Sequence, residues 1–167
     1  RTPTTKDVAD LLIDIYKVDP AMAAFAARAS QGHIGRARGL ATEEVSRARR
    51  QSDLRSAISL RDVPSCVLAA REMVTAAAAA ANTRADELDT KEDEQLKAAF
   101  GIEEGSRIKG PSKRNVDSAK KQLLAHQKTR RTRMIRDEAD RSLVDLLGLF
   151  RDVLMVQVGS NLELINQ

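Results

Sequence analysis

The sequence predicts an all-α protein, and three observations lead there. Aromatic residues make up only 2% of the 167 residues, with no Trp. Alternating runs of β-branched and aromatic side chains, the raw material of sheets, are nearly missing. The bulk is Ala, Leu, Arg, Glu, Lys and Asp, which favour helices or cap them. A β-sandwich, a barrel or a parallel-sheet nucleotide fold is therefore excluded, and with it a self-contained Rossmann or P-loop enzyme. A chain of this length buries roughly two-thirds of its unfolded surface and needs no metal or disulfide staple.

The first helix is expected from near Lys6, capped by Thr4 or Thr5. Its stripe is Val8, Leu11, Leu12, Ile15 and Tyr16 at i, i+3, i+4, i+7, i+8. Asp19-Pro20 opens a second helix, with Pro where its missing amide costs nothing. That helix carries Met22, Phe25, Ala26 and Ala29 and stops at Ser30-Gln31-Gly32. A third runs from Ile34 to about Leu40 and ends at Ala41-Thr42. Gly32 supplies the sharp turn before it, and Gly35 is read as allowing close backbone approach. Residues 1–41 thus form a three-helix bundle, and 42–167 a second, longer helical domain.

Thr42-Glu43-Glu44 is read as the next N-cap, for a helix to about Leu60 with Val45, Ala48, Leu54, Ala57, Ile58 and Leu60 as its apolar positions. Pro64 starts a helix that passes Leu68, Met73, Val74 and the alanines Ala76–Ala81 toward Leu88. Gly101, Gly105, Gly110 and Pro111 then predict a loop over 101–112. The last helix is expected from about Val116 to Gln157, ended by Gly159-Ser160. Ile135, Ala139, Leu143, Leu147, Phe150, Leu154 and Val158 recur every three or four residues along it. They predict the seam of a helix packed along its length.

The formal net charge of +4 conceals a strong asymmetry. Residues 86–104 hold eight acids and two lysines, whereas 107–136 hold eleven bases and one acid, Asp117. The basic stretch Lys113–Arg136 has two readings. It is a solvated helix face that balances the acidic segment or pairs with a partner subunit, or it binds phosphates through Lys113, Arg114, Lys120, Lys121, Lys128, Arg130, Arg131 and Arg133. It contains no aromatic residue to stack on single-stranded bases, so contact with a duplex backbone is the surviving nucleic-acid form.

No catalytic constellation is present. His33 and His126 have no second ligand at zinc spacing, Cys66 stands alone, and the acids of 86–104 lack EF-hand spacing. We expect no metal and no cofactor. A single cysteine fits a reducing cytoplasm. No apolar run approaches the roughly 18 residues of a membrane span, so no membrane partner is expected. The start at Arg1, without Met, points to a piece of a longer protein.

Two segments resemble a known family. Phe25–Ala41, with Gly32-His33-Ile34-Gly35-Arg36-Ala37 at its centre, is similar to the lid of AAA+ clamp-loader subunits of the bacterial DNA polymerase III delta-prime kind. Gln127–Arg133, then Asp137, Asp140, Arg141, Leu143–Leu146 and Phe150–Leu154, resemble the last domain of the same subunits. About 62–112 matches only in its Ala-rich and acidic character. The resemblance implies a lid over 1–41 and a ring-forming collar over 42–167, with the ATPase-like domain preceding Arg1. It implies partners in the other clamp-loader subunits, and a scaffold rather than an enzyme. In ATP-hydrolysing relatives an arginine that senses the γ-phosphate stands three places after the motif's first Gly. Here that place is Gly35, and Arg36 follows, a shift of about 100° around the helix.

Overall fold

The computed structural model describes residues 2–102 and 111–166. They are all-helical, with six helices and no strand among them. The helices are α1 Thr5–Tyr16, α2 Pro20–Ser30, α3 Ile34–Thr42, α4 Glu44–Ile58, α5 Val63–Ala99 and α6 Pro111–Gln157. They fold into two compact units, residues 1–69 with 142–167, and residues 70–141. The three-helix bundle therefore shares a compact unit with α4 and the end of α6, rather than closing at residue 41.

Local chemistry sets the first three helices. Thr4 Oγ1 accepts from the Asp7 amide (3.2 Å) and Asp7 Oδ2 from the Thr4 amide (2.9 Å), a reciprocal cap. Asp19 Oδ1 accepts from the Ala21 and Met22 amides at the start of α2. Lys17 and Gln31 turn the chain in left-handed conformations, and Gly32 (φ 87°) completes the second turn. The core of this bundle is Val8, Leu12 and Leu40 among the alanines Ala23, Ala26, Ala27, Ala29, Ala37 and Ala41. Small side chains let the three helices approach closely, with Ile13, Val18 and Phe25 packed at the margin.

The junction into α4 differs from expectation. Thr42 is the last residue of α3, and its hydroxyl donates to Arg38 O (2.9 Å) instead of capping α4. Arg47 takes the capping task from the other side, donating through Nη1 to Leu40 O and Ala41 O. These are α3 carbonyls that the helix itself leaves unpaired. The inward face of α4 is also not the expected one. Val45 and Ile58 are about three-quarters exposed (76% and 73%), while Arg50 and Asp53 are buried.

The same inversion marks the end of α6. Leu143, Leu147, Phe150 and Leu154 are each more than half exposed, as is Val158. The buried positions are Ser142, Asp145, Gly148 and Asp152, on the opposite side of the helix. The seam exists as a stripe, but from Leu143 onward it lies exposed, whereas Ile135 and Ala139 before it are half-buried.

Two further boundaries move. α5 continues beyond Leu88 through the acidic residues to Ala99, where Gly101 (φ 61°) turns the chain. α6 begins at Pro111, five residues before expectation, and residues 103–110 of the expected loop lie outside the described residues. Within residues 70–141, α5 and α6 run antiparallel. Their polar pairs link 82 and 86 to 131, 89 to 130, and 92 to 127. Ala77, Ala81 and Ala85 are the buried positions of α5.

Helix α5 also qualifies the expectation about membranes. It is long enough, and over one 18-residue stretch apolar enough (mean hydropathy 1.2), to meet the length and composition of a span. Alanine supplies much of that value, and Arg71 and Glu72 sit in the middle of residues 63–81. Each charge at the centre of a span costs about 2.5–3.5 kcal/mol.

Candidate functional site

The most buried polar cluster lies where α3, α4 and the end of α6 meet. Asp145 of α6 accepts from Arg36 Nη2 of α3 and from Arg50 Nε of α4 (2.7 Å), both at Oδ1. All three side chains are under a tenth exposed. Arg50 also donates to Asn166 Oδ1, and its guanidinium stands 5.5 Å from the centre of the Phe25 ring. Beside the cluster, Arg49 Nη2 donates to Ser142 Oγ (3.1 Å). Burial pushes the Asp145 carboxyl above its ordinary value; Arg36 and Arg50 pull the other way, and nearby Asp53 adds to the rise.

This cluster also holds the arginine of the Gly32–Ala37 segment. Arg36 is turned onto Asp145 and held there. Gly32 does supply the turn. A Cβ there would come within 2.5 Å of Thr2 Cγ2 and 3.3 Å of Pro3 O. Gly35 does not serve a close approach, because nothing lies within 4 Å of where its Cβ would be. It is an exposed residue of the first turn of α3.

A second carboxylate fastens the C-terminal residues. Asp152 Oδ1 accepts from the Ile165 amide (3.1 Å), and Oδ2 from the Asn166 amide (2.7 Å) and Nδ2 (2.9 Å). Burial works to raise the Asp152 carboxyl. The donors of Asn166, Ile165 and Arg151 overcome that and bring it below its ordinary value. Arg151 Nη1 adds a bond to Glu163 O, and Ile165 packs beside Gly148.

The charged hairpin of residues 70–141 sorts the eight basic candidates. Arg130 bridges Asp89 and Glu92, and Arg131 bridges Asp86 and Asp89. Burial raises the Asp89 carboxyl, but hydrogen bonds and charge from Arg131 and Arg130 carry it below its ordinary value. Glu92 is lowered by the Arg130 hydrogen bond, and Arg130 is itself raised, first by Glu92 and then by Asp89. These two arginines are fasteners within the chain. Lys113, Arg114, Lys120, Lys121, Lys128 and Arg133 are exposed.

No group of His, Cys, Asp or Glu able to hold a metal occurs among the described residues. His33, His126 and Cys66 are all exposed. Sequence reasoning singled out neither Asp145 nor Asp152 for these roles. The available signal was a second stripe on the last helix: Ser142, Asp145, Gly148 and Asp152, small or acidic residues at helical spacing.

No family model, no curated protein and no solved structure matches this chain.

Proposed function

We propose that this chain is a non-catalytic scaffold: the lid and collar of a clamp-loader subunit of the delta-prime kind, seated in a hetero-oligomeric ring in the cytoplasm. The observation that carries this reading is the apolar seam of α6, turned outward while the polar face of the same helix is buried. A helix that spends Asp145 and Asp152 inside and leaves Leu143, Leu147, Phe150 and Leu154 outside is arranged for a neighbour.

Magnitudes say how large the neighbour's contact must be. Burying a Leu or Phe fully is worth about 1.5–3 kcal/mol. Each of these four is about half exposed already, so they offer roughly 1 kcal/mol apiece on docking. That total of about 4 kcal/mol only meets the low end of the cost of association. The seam therefore has to work within a broader surface, such as one including Val153, Val156 and Leu162, all exposed.

The capture of Arg36 by Asp145 supports a subunit that uses no ATP itself, because the one sensor-like arginine is occupied. The resemblance of Phe25–Ala41 and of segments within 127–154 to clamp-loader subunits supports the same reading. The test is co-expression with the remaining subunits of a bacterial clamp loader from the same source. The chain is expected to co-purify with them, and Leu147→Asp/Phe150→Asp to be lost from the complex at unchanged helicity. A chain that fails to join the complex, or a double variant that joins as well as the parent, defeats the reading.

A further inference from the structure

The basic residues that the hairpin does not consume carry a second surface, one that does not rest on the scaffold reading. We propose that the outward face of α6 in the 70–141 unit binds the phosphate backbone of duplex nucleic acid without reading its sequence.

The argument begins with what is already used. Arg130 and Arg131 are held by Asp86, Asp89 and Glu92, so the acids nearest to α6 are occupied. Lys113, Arg114, Lys120, Lys121, Lys128 and Arg133 are exposed and join no ion pair among the described residues. Between residues 111 and 136 the one acid is Asp117.

Their spacing makes a face. Arg114, Lys121 and Lys128 recur every seven residues, which drifts by only about 20° per step around a helix. Lys113 and Lys120 form a second row one residue earlier, and that row leads down to Gln127, buried beside Asp89 and Glu92. The longer row spans about 21 Å at 1.5 Å per residue. Gln127, Arg130 and Arg131 fix the rotation of the helix, so the Arg114–Lys121–Lys128 row is held outward, while Lys113 and Lys120 flank the hairpin and Arg133 stands about 140° around the helix from Lys128.

Such a face is complementary to a regular polyanion, and its composition selects the kind. There is no Phe, Tyr or Trp from 101 to 149 to stack on unpaired bases, which disfavours single strands. Duplex nucleic acid presents its charge at a fixed, dense repeat and needs only cations opposite it.

The test uses the full chain and a fluorescent, mixed-sequence DNA duplex of about two helical turns, with anisotropy read from about 50 to 200 mM salt. The three contacts of that row predict a slope of log K against log salt near −3, and affinity falling about 40-fold over that range. Lys121→Gln/Lys128→Gln is expected to reduce the slope by about 2 at unchanged helicity. Lys6→Gln/Lys17→Gln, in the other unit, is expected to leave it alone. Absence of duplex binding at 50 mM salt overturns the proposal. So does a slope indifferent to Lys121 and Lys128, tighter binding to the single strand, or preference for anionic lipid vesicles or an acidic polypeptide over the duplex.

Discussion

Replacing Asp145 by Asn tests the cluster at the centre of the first unit. The side chain keeps its size and one acceptor, but the charge between Arg36 and Arg50 is gone. Both guanidiniums are under a tenth exposed, so solvent cannot take over. Removing one partner of a buried ion pair costs about 3–5 kcal/mol, mostly because the other charge is left uncompensated. Asp53, buried close by, offsets part of that, which places the expected loss near 3 kcal/mol at the low end of this range. In a unit of this size that is a fall of about 10 °C or more in Tm. The readout is Tyr16, the single tyrosine of a chain without Trp, which lies in α1 with the Arg38 guanidinium 5.4 Å from its ring centre. Its fluorescence follows the first unit alone through a urea or thermal melt. The triple change Arg36→Leu/Arg50→Leu/Asp145→Leu removes every charge of the trio and is expected to recover most of the loss. A single Asp145→Asn variant within about 1 kcal/mol of the parent would refute the reasoning.

Two more expectations follow from the glycines and the hairpin. Gly32→Ala is expected to cost about 1–2 kcal/mol, since φ 87° is strained for any L side chain and Thr2 stands in the way. Gly35→Ala should instead be neutral or gain up to about 0.5 kcal/mol, and a clear loss in urea melts would mean that Gly35 has a role its open surroundings do not reveal. In the hairpin, Asp89 and Glu92 are held below their ordinary values of 3.8 and 4.5. A carboxylate lowered by folding stabilises above its unfolded value and ceases to do so as pH falls through its folded one. Stability of residues 70–141 should therefore drop as pH falls below about 4.5, and amide exchange across α5 and α6 should show it. Asp89→Asn should flatten that dependence.

Local signals were the legible part of this fold. The caps at Thr4 and Asp19, the turn at Gly32 and the stop at Gly159 each depend on a few neighbouring residues, and the sequence contains all of them. Periodicity likewise announced the stripe on the last helix. What it could not announce is which side of that helix faces inward, because spacing defines a face and not its neighbour. The inward side carries Asp145 and Asp152, which look like surface residues until Arg36, Arg50 and the amides of Ile165 and Asn166 are brought to them. Those partners lie 109 residues away for Arg36 and 14 for Asn166. The opposed charge of 86–104 and 107–136 suggests a balance between the two segments, but not that Arg130 and Arg131, read as candidate phosphate contacts, are the residues paired within the chain. Thr42 reads as the start of α4 and in fact ends α3, because a threonine can end one helix as readily as begin the next.

The alanine contacts of the hairpin have a thermal consequence. Ala77, Ala81 and Ala85 bury one methyl group each, and much of what joins α5 to α6 is guanidinium against carboxylate. Unfolding such a pair exposes little apolar surface and a good deal of polar surface, and these change the heat capacity in opposite directions. The hairpin should therefore have a heat-capacity increment below the usual ~12–15 cal/mol/K per residue. Its stability curve is then shallow, varying slowly on both the warm and the cold side of its maximum.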